Sequence, residues 1–430
     1  MAKKIFKTKN GINFIVHADK SAKSASVYIF IAVGPYKENV SNNGISHFLE
    51  HILLRGTKKF PNSDKLLIEI DNIGGNLEAF TSKEYMSFGI KTKKENIDIA
   101  LSILNEIIFH PKLSLSDIEI ERRSIIDECV LYEENPMMNA GDIFENQFVG
   151  MPIIGTKKNI NSFTQKMLND FYCKNFTSNN IIICLAGNIE KSVIEKAKKK
   201  FSEKKKKSLQ SIEIYKKKNN GSNIRIYKKK ANQIHFSIGY KIGALRDKDE
   251  YVLRFISVML GGCLSSRNNI NLREKRGLVY YIQTNAEFFS RTGYLATQAA
   301  VMKKDLISAI REIIFEYNRI KSSGISNKEI NKIKKIISSR NSIQSETSDD
   351  MALWIGCQAV TILNQKGKIE EKFIFTPEEF TKKFANISAK DIYHVVNKVF
   401  TKDNMYLTVY GQINNYQKAK LKQLFYSKGI

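Results

Sequence analysis

The chain repeats itself, and this limits the folds open to it more than any other feature. Residues 163–189 (FTQKMLNDFYCKNFTSNNIIICLAGNI) align without a gap on residues 387–413 (ISAKDIYHVVNKVFTKDNMYLTVYGQI). Lys166/Lys390, Lys174/Lys398, Phe176/Phe400, Thr177/Thr401, Asn180/Asn404, Gly187/Gly411 and Ile189/Ile413 are identical, and each copy reads as helix, turn, strand and Gly. A looser match joins 27–34 and the helix after it to 234–243 and the helix around Tyr251. Two halves of about 200 residues sharing one ancestral fold follow from this. Between the copies, 199–230 loses apolar periodicity, carries most of the Lys runs and contains Asn219-Asn220-Gly221-Ser222. The expected division is a first domain over 1–210, a linker over 211–222 and a second domain over 223–430.

Along the first half the pattern predicts a hairpin over 5–17 around Asn10-Gly11, a buried strand at 26–33 and helices at 43–54 and 65–73. It continues with strands at 75–81 and 85–91, then helices at 97–109 and 116–134, the last closed before Pro136. Strands and helices mix without strict alternation, which favours an α+β class over a doubly wound sheet. With 430 residues, 42% of them hydrophobic, there is enough apolar surface for real cores. Trp354, within 351–363, reads as the core of an amphipathic helix.

The net charge of +26 bears on partners rather than fold. Its Lys runs read as a solvated basic face, and the chain lacks an RNP-type motif, a helix-turn-helix pattern or a basic stripe on one helix, which disfavours nucleic acid. Five cysteines without a C-x-x-C pair read as reduced, mostly buried thiols. Lys3, Lys4, Lys7 and Lys9 interrupt any signal-peptide core, and 27–34 and 351–363 fall short of the ~18–20 apolar residues of a membrane span. A cytoplasmic chain without a membrane span is expected.

The chemistry concentrates at His47-Phe48-Leu49-Glu50-His51. Residues three and four apart share a helix face, so His47 and His51 can turn their imidazoles to one metal with Glu50 beside it. With six His in the chain, H-x-x-E-H is expected by chance only about 0.008 times. A catalytic zinc takes three protein ligands and keeps a position for water, so a third donor is needed. In the helix at 116–134, Glu121 and Glu128 lie about 20° apart in projection, whereas Asp127 is about 100° round from Glu128. One of the two glutamates would bind the metal and the other orient a histidine, and spacing does not choose between them. The other histidines, His17, His110, His235 and His394, have no ligand spacing and read as structural or surface residues.

H-x-x-E-H is the inverted zincin signature. Its surroundings, GISHFLEHILLRGT, then GGNLEAFTSKEY and ERRSIIDE, resemble the pitrilysin (insulinase-like) family of zinc metallopeptidases, in the branch of the mitochondrial processing peptidase and its bacterial relatives. In the second half, GGCLSSRNNINLREKRGLVYYI is similar to the family's second signature, so the resemblance spans nearly the whole chain. It implies one Zn2+ per chain held by His47, His51 and Glu128, with Glu50 as base and Glu121 as supporting carboxylate; Asp127 stands at a variable position. It further implies that a peptide adds itself in extended form to an edge strand at 75–81, through Asn76, Ala79, Phe80 and Thr81. Arg273 and Tyr280 match residues the family places against the bound peptide, as donors to a carbonyl or its oxyanion, with Gly277 ending the helix between them.

Aligning the early helix of the second half sets Tyr251 to Phe255 against His47 to His51, with no zinc-binding residue. One catalytic half and one degenerate half, each a mostly antiparallel sheet flanked by helices, imply a clamshell around the substrate. The expected activity is zinc-dependent endopeptidase hydrolysis of peptides or unfolded polypeptide segments, by a chain acting as a homodimer or beside a homologous subunit. A non-catalytic subunit of the same fold is the rival reading, and the intact His47, Glu50, His51, Glu121 and Glu128 argue against it.

Overall fold

The computed structural model of the chain describes residues 3–202, 223–229 and 231–426, and the linker expected at 211–222 lies outside them. Strands β1 (Lys3–Lys7), β2 (Asn13–Ala18), β3 (Ser24–Ile31), β4 (Asn76–Thr81), β5 (Met86–Lys93) and β6 (Ile181–Gly187) form a sheet in the order β1-β2-β6-β3-β5-β4. A second sheet takes β7 (Ile224–Tyr227), β8 (Ile234–Ile242), β9 (Val279–Phe288), β10 (Gly293–Val301) and β11 (Met405–Tyr410) in the order β7-β11-β8-β10-β9. Each sheet has one parallel pair, β2/β6 and β7/β11, and is otherwise antiparallel. The fold is α+β, and β2-β6-β3-β5-β4 of the first sheet has the same plan as β7-β11-β8-β10-β9 of the second.

The gapless repeat has its counterpart in the elements. The helix Gln165–Asn175 and the turn Ser178–Asn180 correspond residue for residue to the helix Ala389–Val399 and the turn Lys402–Asn404, and β6 starts in register with β11 and runs one residue longer. Gly187 and Gly411 recur because both strands end with a positive φ, 93° and 146°, which side chains disfavour. A Cβ on Gly187 would also lie 2.4 Å from the Ser24 carbonyl oxygen.

Contacts divide the chain into two units. The first is Met1–Cys129, Gly150–Lys216 and Asn341–Glu378; the second is Val130–Val149, Lys217–Arg340 and Glu379–Ile430. This departs from the division expected at 211–222 in two segments, which trade places. The helix Ser348–Lys366 packs on β3 and β6 of the first sheet. There the Phe30 ring lies so close that a Cβ on Gly356 would sit 2.0 Å from it, and the Ser348 hydroxyl is 2.8 Å from that of Ser24 and 2.7 Å from that of Ser26.

Helices α1 (Ile45–Leu53), α2 (Ser63–Asn72), α3 (Ile97–Phe109) and α4 (Leu115–Glu134) follow in the first unit's sequence. The odd residues of β3 (Val27, Ile29, Ile31) join the core that α1 and α3 complete. Covered on both faces, β3 reads as an unbroken apolar run. In the second unit, α5 (Pro136–Glu145) packs on β8 and β11. Just past it, the Gln147 amide donates to the Thr408 hydroxyl at 2.9 Å.

Two expectations need correction. Trp354 is half-buried, its indole N–H donating to the Phe375 carbonyl at 2.9 Å, because the helix turns Ile355, Ala359 and Ile362 to the core instead. None of the five cysteines is in a disulfide, but only Cys129 and Cys184 are buried, and Cys173 is exposed. No described helix is long and apolar enough to cross a membrane.

Candidate metal centre

Helix α1 is anchored by its apolar face. Ile45, Phe48, Leu49, Ile52 and Leu53 enter the core at the spacing of an amphipathic helix. That leaves His47, Glu50 and His51 together on the other side. Helix α4 is held through Ile118, Ile125 and Cys129, which presents Glu121 and Glu128 on one face; Asp127 is exposed.

The two helices bring three donors together. The Glu128 Oε2 lies 3.6 Å from His47 Nε2 and 3.5 Å from His51 Nε2. One ligand atom from each of the three residues lies within 4.8 Å of the others, and among the described residues this is the one such group of His, Cys, Asp or Glu. Ligands about 2.0–2.1 Å from a tetrahedral Zn2+ stand roughly 3.4 Å apart, so the donor set and its spacing fit the ion.

Around this triad a second set of contacts orients the first. His51 Nδ1 meets Glu121 Oε2 at 3.0 Å, which leaves Nε2 free to ligate. Glu121, itself buried, also lies 3.4 Å from the Arg55 guanidinium. His47 lacks the matching contact: its Nδ1 is buried without a hydrogen-bond partner among the described residues. The Thr81 hydroxyl, at the end of β4, donates to Glu50 Oε2 at 2.6 Å.

Burial, with His51 beside it, pushes His47 down to about 4, so its ring is a neutral donor at physiological pH. Burial also opposes charge on His51, but the contacts to Glu121 and Glu128 outweigh it and bring the group up to about 9 in the metal-free chain. Glu128 is lowered: the histidine contacts overcome its burial. Glu50 is raised by burial, with the Thr81 hydrogen bond opposing, and a carboxylate so placed accepts protons more readily near neutrality.

β4 is the edge of the first sheet, paired on one side to β5. Asn76 is exposed at its start, while Ala79, Phe80 and Thr81 are half-buried. In the second unit, Arg273 lies in the last turn of a π-helical segment, Asn269–Lys275, followed by Gly277 with φ 58°. Tyr280 follows on β9, the edge of the second sheet, with its side chain exposed. The Arg273 guanidinium stands 5.9 Å from the Tyr280 ring centre. The helix Glu250–Leu260, aligned with α1, carries a buried Glu250 held by Arg246 at 3.0 Å and Arg254 at 2.9 Å. Sequence reasoning missed Arg55 and the hydrogen bond that ties Thr81 to Glu50; neither contact follows a spacing rule.

The chain matches the family model described as Insulinase (Peptidase family M16) over residues 13–157, and the Peptidase M16 inactive domain over 162–337. An uncharacterized zinc protease of Bacillus subtilis is 27% identical over 341 residues, 77% of this chain and 82% of its own. The mitochondrial-processing peptidase subunit beta of Dictyostelium discoideum is 26% identical over 431 residues, covering 96% of this chain and 89% of its own. The crystal structure of a protease from Helicobacter pylori superposes with a TM-score of 0.85 at 21% identity, covering 95% of this chain and 99% of that one, a likeness of fold. With the two models matched in tandem and relatives aligned along most of its length, the chain belongs to the pitrilysin-like M16 (insulinase) family of peptidases.

Proposed function

We propose that this chain is a zinc-dependent endopeptidase acting on peptides and unfolded polypeptide segments. The observation that carries the reading is the convergence of His47 Nε2, His51 Nε2 and Glu128 Oε2 with Glu50 on the same helix face. These three residues would hold one Zn2+. The bound ion supplies a Lewis acid that polarises a peptide carbonyl and makes water acidic near neutral pH. Glu50, with Oε2 fixed by Thr81, takes a proton from the attacking water and passes it to the leaving amide nitrogen. Glu121 keeps the His51 ring in the tautomer that leaves Nε2 unprotonated.

The free edge of β4 offers unpaired backbone groups to an extended peptide, through Asn76, Ala79, Phe80 and Thr81. An extended segment is what an unfolded chain presents, so unfolded proteins should be cut faster than their native forms. Arg273 and Tyr280 are read as donors to the substrate backbone, a role suited to an adjacent cation and phenol. One relative is by name the beta subunit of a peptidase, which favours assembly with a second M16 chain. Full turnover by a particle sedimenting at 49.2 kDa would remove assembly from the reading.

The test is metal analysis of the purified chain together with cleavage of a mixed peptide library, with and without a chelator. About one zinc per chain and chelator-sensitive cleavage are expected. Zinc-loaded protein that cuts no peptide would leave only the rival reading of a non-catalytic subunit.

A further inference from the structure

A helix that carries two metal ligands and a base must begin at the right residue and in the right rotational phase. Helix α1 starts after Gly44, in the left-handed region at φ 99°, and Gly44 has no side chain with which to cap it. Elsewhere in the chain, Asn62, Thr164 and Ser388 cap their own helices by accepting a backbone N–H of the first turn. For α1 the acceptor comes from upstream. Glu38, 1% exposed, takes the Gly44 N–H on Oε2 at 2.7 Å and the Ser46 N–H on Oε1 at 2.9 Å. The Asn43 amide donates to the same Oε2 at 2.9 Å and to the Pro152 carbonyl at 2.8 Å. The Asn159 amide in turn donates to the Asn43 carbonyl at 3.1 Å.

The groups Glu38 holds lie directly before the site. Ser46 precedes His47, and the first-turn N–H groups have no partner within the helix itself. An anionic acceptor there also suits the positive end of the helix dipole. If the first turn frays, His47 is the first ligand to move, and its Nε2 leaves the 3.6 Å separation from Glu128. We infer that Glu38 is a positioning residue for the metal centre: its buried carboxylate fixes the start and phase of α1, so that His47 meets the ion at the same point as His51 and Glu128. This rests on the peptidase reading only for what the ion does.

The test uses full-length Glu38→Gln and Glu38→Ala, with Asn62→Ala as a control that removes the cap of α2 instead. Zinc affinity is measured by chelator competition, the absorption of the Co2+-loaded protein reports ligand geometry, and amide exchange over 45–51 is followed in the metal-free protein. Glu38→Ala should weaken zinc at least tenfold, change the cobalt spectrum and speed exchange over 45–51 at least tenfold. Glu38→Gln, which keeps one accepting oxygen, should fall between. Asn62→Ala should keep zinc affinity within twofold whatever its loss of thermal stability. Zinc binding within twofold of the unaltered chain and an unchanged cobalt spectrum in Glu38→Gln would overturn the inference. Should Glu38→Ala fail to fold, the Gln variant decides alone. If the unaltered chain binds no zinc, the peptidase reading fails, and exchange over 45–51 still decides the role of Glu38: rates equal to the unaltered chain reject it.

Discussion

Glu50 and Thr81 come from a helix and a strand edge, and a single hydrogen bond joins them. Replacing Glu50 by Gln should keep zinc content and lower kcat by at least ~10²-fold, the range for losing a general base. Thr81→Val should lower kcat roughly tenfold with zinc unchanged, and Thr81→Ser should restore it, since a hydrogen bond to a charged group is worth about 1.5–3 kcal/mol. Equal kcat in the Val and Ser variants would dismiss the contact. Glu121→Gln, read by chelator competition, should weaken zinc about 10- to 100-fold. Away from the site, burial lowers His17 below its usual 6.5, against Glu378 and Asp19, which favour its charge, while Lys3 opposes it. The unfolded chain then binds more protons than the folded one below 6.5, so stability is lost as pH falls through that window. Urea melts at about pH 7 and about pH 5 should show a smaller loss in His17→Gln than in the unaltered chain. The four candidate residues were legible in the sequence because helix periodicity places 47 beside 51 and 121 beside 128; the choice of Glu128 over Glu121 as third ligand came only from the family resemblance. Glu38 and Arg55 were not legible, because their contacts depend on how a loop and a helix end fold back.

At the level of elements, β4 matters through its unpaired side. Along an edge strand successive backbone N–H groups alternate between the neighbouring strand and the open edge. Single prolines placed along Asn76–Thr81 should therefore split into two classes. Those that remove an N–H bonded to β5 should lower Tm; those that remove an outward N–H should raise KM with Tm nearly unchanged. One uniform effect along the strand would count against peptide addition there. Most elements were readable because local pattern sets them: the expected helix at 97–109 is α3, and the expected strand at 75–81 overlaps β4. Which element covers which sheet face was not readable. Nothing in 348–366 names β3 as its partner; the fit lies in Gly356 making room for the Phe30 ring, a match of shapes between positions far apart in the chain.

Across the whole molecule, the repeat was the most legible property, since two sheets of one plan leave matching residues at matching turns. The crossing of segments was not, because a duplicated sequence carries no mark of which copy's sheet a helix covers. Residues 1–210 expressed alone would lack the helix Ser348–Lys366 and leave the Tyr28 and Phe30 side of β3 uncovered. Such a fragment should aggregate, and a peptide spanning 341–378 should return it to solution; a soluble, cooperatively melting 1–210 fragment would refute this.

The traded segments also bear on how such a protein can change over generations. Neither half is a module that could be copied, lost or joined to another gene without leaving its twin with a hole where a helix belongs. If the gene were split between the halves, its two products would depend on each other for solubility from the first generation. The degenerate half would then be retained as a lodger inside its partner's core, whatever it had ceased to do for chemistry.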